Sequence, residues 1–347
     1  MRIRTKSACC ALLTVAAVTS LALGGLEPIA NAAAGSAITT VDLSLTNFSS
    51  LVADSAHQHL FISGGSGSDG VLVTDFAGHP VTNLTGLAGA SALALSADGG
   101  ILYAAITGTD EIAAVNTATL QEVALYFTDG QDPASLAVVG DDVWFSYVGT
   151  YAYQAGLGVL EPAALTVDLT GESAFYGAPV LAASPAAPGI LVAGNEGSEP
   201  SVVESFDVSS GSPVSIAESD PWFQADGCEF VDQMAITANG TDVVTACGAP
   251  YHGSALNLDT MAEDATYDTG PYDESVAVAS TGRIALGVDA TSSSVYVFNP
   301  TGSAPAATYK LGGFGVYGIA WNSDGSTLFA VAEGGESPTL NIIDTAD

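Results

Sequence analysis

Apolar and polar positions alternate along this chain in short runs, and the runs are cut by Gly, Asp, Asn and Ser. Residues 91–105 show the unit. An apolar stretch around Leu93, Ala94 and Leu95 meets a polar turn at Asp98-Gly99, and a second apolar stretch starts at Ile101. Alternation over so few residues predicts strands joined by tight turns. A helix is excluded, because Gly, Asn, Asp or Pro interrupts every such stretch. The unit occurs seven times, with turns centred on Ala56, Asp98, Gly140, Ala187, Asn239, Thr281 and Asp324. The spacings are about 42, 42, 47, 52, 42 and 43 residues, the period of a four-stranded propeller blade.

The second repeat divides into four strands. They are Ser91 to Leu95 (inner), Leu102 to Ile106, Glu111 to Asn116, and Glu122 to Thr128 (outer). The third strand ends in Asx in most copies: Asp75, Asn116, Asp207, Asp259, Asn299 and Asp344. An Asx side chain there bonds the backbone of the next turn, so these acids are read as structural. The inner strand centres on Ala between larger residues, as in Leu93-Ala94-Leu95 and Met234-Ala235-Ile236. A small side chain suits the crowded axis of a ring. The last repeat stops without an outer strand, and the stretch Ala37 to Leu43 has the composition to supply it beside Leu340 to Ile343. The expected fold is therefore all-β. It is a seven-bladed β-propeller of four-stranded antiparallel blades, closed by an N-terminal outer strand that completes the last blade. Closure also removes a free sheet edge.

Residues 1–32 read as a signal peptide. Arg2, Arg4 and Lys6 precede an apolar run from Ala8 to Leu23, and Ala30-Asn31-Ala32 supplies a small-x-small cleavage pattern. The run is short for a membrane span and no second one follows. Residues 33–347 are expected to be exported as one propeller domain. Radial repetition lets a chain of that length form one closed body. Only Arg283 and Lys310 remain as cations in that segment, against 37 acids, a net charge of about −35. Such a field repels nucleic acid and anionic membrane surfaces. Acidity spread over all repeats also serves plain solubility. A secreted monomer is expected, with a glycan or a protein as its partner.

Cys228 and Cys247 are the cysteines outside the leader. Cys228 lies just before an inner strand, and Cys247 lies on the strand paired with it. Positions facing across the Asn239 turn sum to about 478, and the cysteines sum to 475. A bulge absorbs so small an offset. A disulfide is expected in an exported chain, worth on the order of 3 kcal/mol for a loop of this size.

The repeats resemble the YVTN-type β-propeller repeat. In that family a turn of the Ser-Ala-Asp-Gly-Gly kind leads into an apolar strand, and a polar loop then leads into a strand ending in the Ile-Asp-Thr-Ala style. The matching stretches are Ser96 to Ala105 with Ile112 to Thr119, and Asn322 to Ala332 with Leu340 to Ala346. The third and fourth repeats depart, with longer spacing and Pro162 in place of the Asx. The resemblance implies a surface-layer-like or binding protein. Related propellers include lactonases and lyases, and fold analogy alone does not choose between these.

In a propeller, loops joining the second and third strands share a face with loops joining one blade to the next. That face gathers Asp110, Tyr151, Tyr153, Glu196, Trp222, Phe223, Tyr251, His252, Tyr272, Asp273 and Glu274. The two longest insertions, residues 148–156 and 218–227, are both there and both aromatic. Long loops on a rigid frame tend to carry function. Aromatic faces stack on sugar rings or organic cations while carboxylates bond hydroxyls. The same aromatics would equally cap the end of the core. The ligand-binding candidates are Tyr151, Tyr153, Glu196, Trp222, Phe223, His252, Tyr272 and Asp273. No catalytic set and no cofactor is evident. His57, His59 and His79 fall in turns of the opposite face, and no phosphate loop or nucleophile elbow is present. The leading expectation is a non-enzymatic binding propeller. The alternative is a metal-assisted lactonase- or lyase-like enzyme, with a divalent cation on Glu196, Asp110 or Asp273 and with His252 as acid/base.

Overall fold

A computed structural model of the protein describes residues 37–148, 155–170, 175, 177–195, 201–220, 228–249, 251–270, 272–289, 294–311, 315–333 and 337–345. They form seven four-stranded sheets, all antiparallel, with a single 3-10 turn at Thr85–Leu87. Six sheets use four consecutive strands. The seventh holds Gly315–Trp321, Thr327–Glu333 and Pro338–Asp344, and its outer strand is Ile38–Asp42 from the other end of the chain. The ring is closed as expected, in the register Thr40 opposite Asn341 and Val41 opposite Leu340.

Burial follows position in the blade. The second strand Ile101–Ile106 is buried at every residue but its first, since neighbouring blades cover both its faces. The outer strand Gln121–Phe127 is exposed or half-exposed throughout. Seven apolar clusters fill the seven spaces between blades. Tyr103, Ile112, Phe145 and Leu160 join the second blade to the third. Leu43, Leu51, Leu60, Phe329 and Leu340 join the last blade to the first. Phe48 packs where a Cβ on Gly318 would lie 2.2 Å from its ring, so only glycine fits at 318.

The turn chemistry explains the repeated Asp and Asn. Asp98 Oδ1 accepts from the backbone N–H of Gly100 and from Ser96 Oγ, and Gly99 takes φ +71°. A left-handed residue there favours glycine. After the third strands, Asp75 accepts from Ala77 and His79, Asn116 from Thr119, and Asp207 from Ser209. The Ser96 and Ser209 hydroxyls lead in holding Asp98 and Asp207 below the ordinary carboxylate range. The fifth blade differs from the expected pattern. Its strand ends at Asn257, which accepts from the Asp259 N–H and Thr260 Oγ1, so Asp259 is part of the turn instead of its cap. On the opposite face His57 and His79 pair with Asp54 and Asp75 at 2.7 and 3.0 Å, within the same turn network.

Cys228 and Cys247 form a disulfide with Cα atoms 5.7 Å apart. A register shift between Val231 and Gln233 supplies a bulge in the strand that Cys228 precedes. Among the described residues no helix is long and apolar enough to cross a membrane.

Candidate functional site

The inner strands carry a feature that sets the chemistry of the axis. Five of them are bulged near their N-terminal ends. The shifts fall between Ala90 and Leu93, Pro133 and Leu136, Val231 and Gln233, Asp273 and Ser275, and Val316 and Gly318. A bulge adds a residue opposite an unchanged partner strand and re-aims its side chain. In the fifth, sixth and seventh blades the extra residue is Asp232, Glu274 or Tyr317. All three line a cavity of about 350 Å³ at the axial mouth, with Gln233, Ser50 and Ser135. Small residues such as Ala92 and Ala134 line it on the second and third blades.

Neighbouring blades satisfy the backbone groups around these bulges. Gln233 Oε1 accepts from the Val276 N–H at 2.9 Å, and Ser275 Oγ donates to the Val316 carbonyl at 2.6 Å. Ser135 Oγ accepts from the Leu181 N–H at 3.1 Å. The mouth is thus held by bonds that run from one blade to the next. Burial, reinforced by Asp289, raises the pKa of Glu274. Burial also pushes Tyr317 up to about 12, with Asp289 and Glu274 adding to the effect. Tyr317 therefore stays a proton donor, and its hydroxyl lies 3.4 Å from Asp289 Oδ2.

The residues singled out from sequence fall differently. Tyr151, Tyr153, Glu196, Trp222 and Phe223 lie outside the described residues, as do residues 1–32. Tyr272 is half exposed and meets Tyr251 edge-to-face, with ring centroids 5.9 Å apart. Tyr272 also takes φ +63°, and its carbonyl accepts from the Asp289 N–H at 2.8 Å. The pair is an exposed aromatic surface fixed to the sixth blade. His252 turns toward the outer strand of its own blade, with Nε2 3.9 Å from Glu263 Oε2. Glu263 also accepts from Ser254 Oγ at 2.9 Å.

Asp273 is fully buried at the start of the sixth inner strand. Its Oδ2 lies 2.9 Å from Thr269 Oγ1, and its Oδ1 has no hydrogen-bond partner. Burial raises its pKa to about 7, against the lowering effect of Thr269. Of the described ones, His252, Tyr272 and Asp273 do not line the axial cavity. Glu274, one position from Asp273, does so because the bulge turns it to the axis. A usable signal was present. Three positions before the central Ala, the second and third repeats have Ser91 and Ala134, whereas the last three have Asp232, Glu274 and Tyr317.

Among the described residues no three His, Cys, Asp or Glu side chains gather as a metal-binding group. Another cavity of about 500 Å³ lies between the fifth and sixth blades on the opposite face, lined by Asp242 and Asp264. Burial raises the pKa of Asp242, with Thr241 opposing and Asp264 adding to the rise.

No protein-family model matches the sequence, and no curated protein sequence does either. Among solved structures 1568 chains match, so the architecture by itself selects no activity. One is titled Kuenenia stuttgartiensis Hydrazine Synthase. The alignment has a TM-score of 0.65 and 17% identity, and covers 88% of this chain and 97% of that one. At that identity the likeness is one of fold, the seven-bladed propeller.

Proposed function

We propose that this protein is an exported binding propeller of the YVTN-repeat kind, with its ligand on the face where the long loops gather. The supporting observation is the polar axial mouth beside the exposed Tyr251–Tyr272 pair. A pyranose ring stacks on an aromatic face, and the carboxylates and hydroxyls of the mouth bond its hydroxyl groups. A glycan, free or on a protein, fits that combination better than an anionic partner would. The test is a glycan array on residues 33–347, repeated with Tyr251→Ala, Tyr272→Ala, Trp222→Ala and Tyr151→Ala. Loss of one buried aromatic contact weakens binding about tenfold or more. Full retention by all four variants excludes this face.

A second reading is a lactonase- or lyase-like enzyme. One observation favours it: a buried carboxyl poised near neutral pH at Asp273, which suits an acid/base group. The described residues supply no three-group cation site. Turnover of aliphatic lactones, lost in Asp273→Asn with folding retained, supports it. An equal rate in that variant removes Asp273 from any such role.

A further inference from the structure

The axis of the ring is polar at one end and aliphatic at the other. Beneath the 350 Å³ mouth lies a second cavity of about 670 Å³, open among the turns of the opposite face. Among the described residues no charged one lines it. Its walls are the Ala-centred inner strands, including Val52, Ala94, Val138, Ala235, Ile236 and Val278. Leu93, Leu136, Leu181 and Met234 line both cavities and form a shared waist. Leucine and methionine side chains adjust readily around a straight hydrocarbon chain.

We propose that this axial channel binds a small cationic amphiphile, an alkylammonium in chemical class, with its head at Asp232, Glu274 and Tyr317 and its chain through the waist into the aliphatic half. Each end contributes its own reason. The volumes lie in the range of small-ligand sites, and aliphatic lining drives burial of a chain. The head must carry positive charge, because acids line the mouth and, among the described residues, no Lys or Arg lines either cavity. Arg283 is held elsewhere, donating to the Thr345 carbonyl and lying over Trp321 at 5.0 Å. A bare metal ion would leave the aliphatic half unused. An alkyl sulfate would set its charge against Asp232 and Glu274. The tyrosine ring at the mouth adds an attractive face for an ammonium head.

This inference uses the same mouth as the glycan reading, but its probes carry no sugar and its chain-length series reads the aliphatic half, so either reading can fail without the other. The experiment is titration calorimetry on residues 33–347 with octyl-, decyl- and dodecyltrimethylammonium below their micellar concentrations. Tetramethylammonium and dodecyl sulfate are run beside them. The expected result is one saturable site, strengthened about fourfold per added methylene, with tetramethylammonium and dodecyl sulfate far weaker. Glu274→Gln, nearly isosteric, weakens the dodecyl compound about tenfold. Ala235→Leu, which narrows the aliphatic half, shortens the longest chain that gains affinity. Three outcomes overturn the proposal: affinity independent of chain length, equal binding of dodecyl sulfate, or unsaturable binding that Glu274→Gln leaves unchanged. The last is the signature of surfactant adsorbing to an acidic surface. Should Ala235→Leu fail to fold, the chain-length series and Glu274→Gln decide the matter.

Discussion

Deleting residues 33–46 removes most of the folding stability of the ring, and the shortened chain melts far below the full 33–347 chain. The deleted stretch contains Ile38–Asp42, the outer strand of the last blade, and Leu43, which is only 3% exposed. Leu43 donates its N–H to the Pro338 carbonyl at 2.9 Å and sits in the apolar cluster between the last and first blades. Thr40 Oγ1 donates to Asn341 Oδ1 at 2.8 Å, and Asn341 is itself buried. Without the strand, Asn341 loses that bond and Pro338–Asp344 becomes a bare edge open to pairing with other chains. Burial of one leucine is worth about 2 kcal/mol and each net ladder bond about 1 kcal/mol. The sum is on the order of 5 kcal/mol or more, comparable with the whole stability of a typical domain. Thermal unfolding followed by far-ultraviolet circular dichroism measures it. A midpoint within a few degrees of the full chain would falsify the closure as the source of stability. Leu43→Ala, which leaves the strand in place, costs about 2 to 5 kcal/mol by the same assay.

The architecture was legible because a propeller repeats its sequence as it repeats its geometry. The turn spacing gave the number of blades. The incomplete last repeat gave the closure, since a missing outer strand and a spare strand at the other end have one economical solution. The cysteine positions on adjoining strands gave the disulfide. The site was much less legible, and the reason is physical. A strand's side chains alternate between two faces, so one inserted residue exchanges which neighbour points to the axis. The bulge at Asp273–Ser275 turns Glu274 inward and leaves Asp273 buried between blades. One repeat read alone does not announce such a bulge; only alignment of the repeats, three positions before the central Ala, picks out Asp232, Glu274 and Tyr317. Loop membership alone groups His252 with Tyr272 and Asp273. The fold gives each loop an inner and an outer side, and His252 takes the outer one, beside Glu263. The Asx caps were predictable to within two residues, and the fifth blade shows the error: Asn257 caps the turn that Asp259 occupies.

Replacing Asp273 with Asn flattens the pH dependence of stability between about pH 4 and pH 7. In the folded protein Asp273 has its pKa raised from 3.8 to about 7, with burial as the main cause. A group with a raised folded pKa adds its stability fully below the unfolded value, and that stability is lost as pH rises through the folded value. The folded state thus favours a protonated Asp273 over this whole window, and the advantage is spent above about pH 7. At 1.36 kcal/mol per pH unit the full swing is on the order of 4 kcal/mol. Thr269 Oγ1 lies 2.9 Å from Asp273 Oδ2 and 3.2 Å from the Gly270 carbonyl, so its hydroxyl has an acceptor whether or not Asp273 is charged. Ionised Asp273 claims the Thr269 hydroxyl, and its Oδ1 stays buried without a partner. Asn supplies a neutral donor of the same shape at every pH. The variant should match the parent near pH 4 and exceed it at pH 8. Glu274, whose pKa burial also raises, contributes a slope of the same sign. Denaturant midpoints at pH 4, 6 and 8 decide the matter. Parallel curves for parent and variant would mean that Asp273 is ionised in the folded ring throughout, and its value as a proton-carrying group on this face would go with that result.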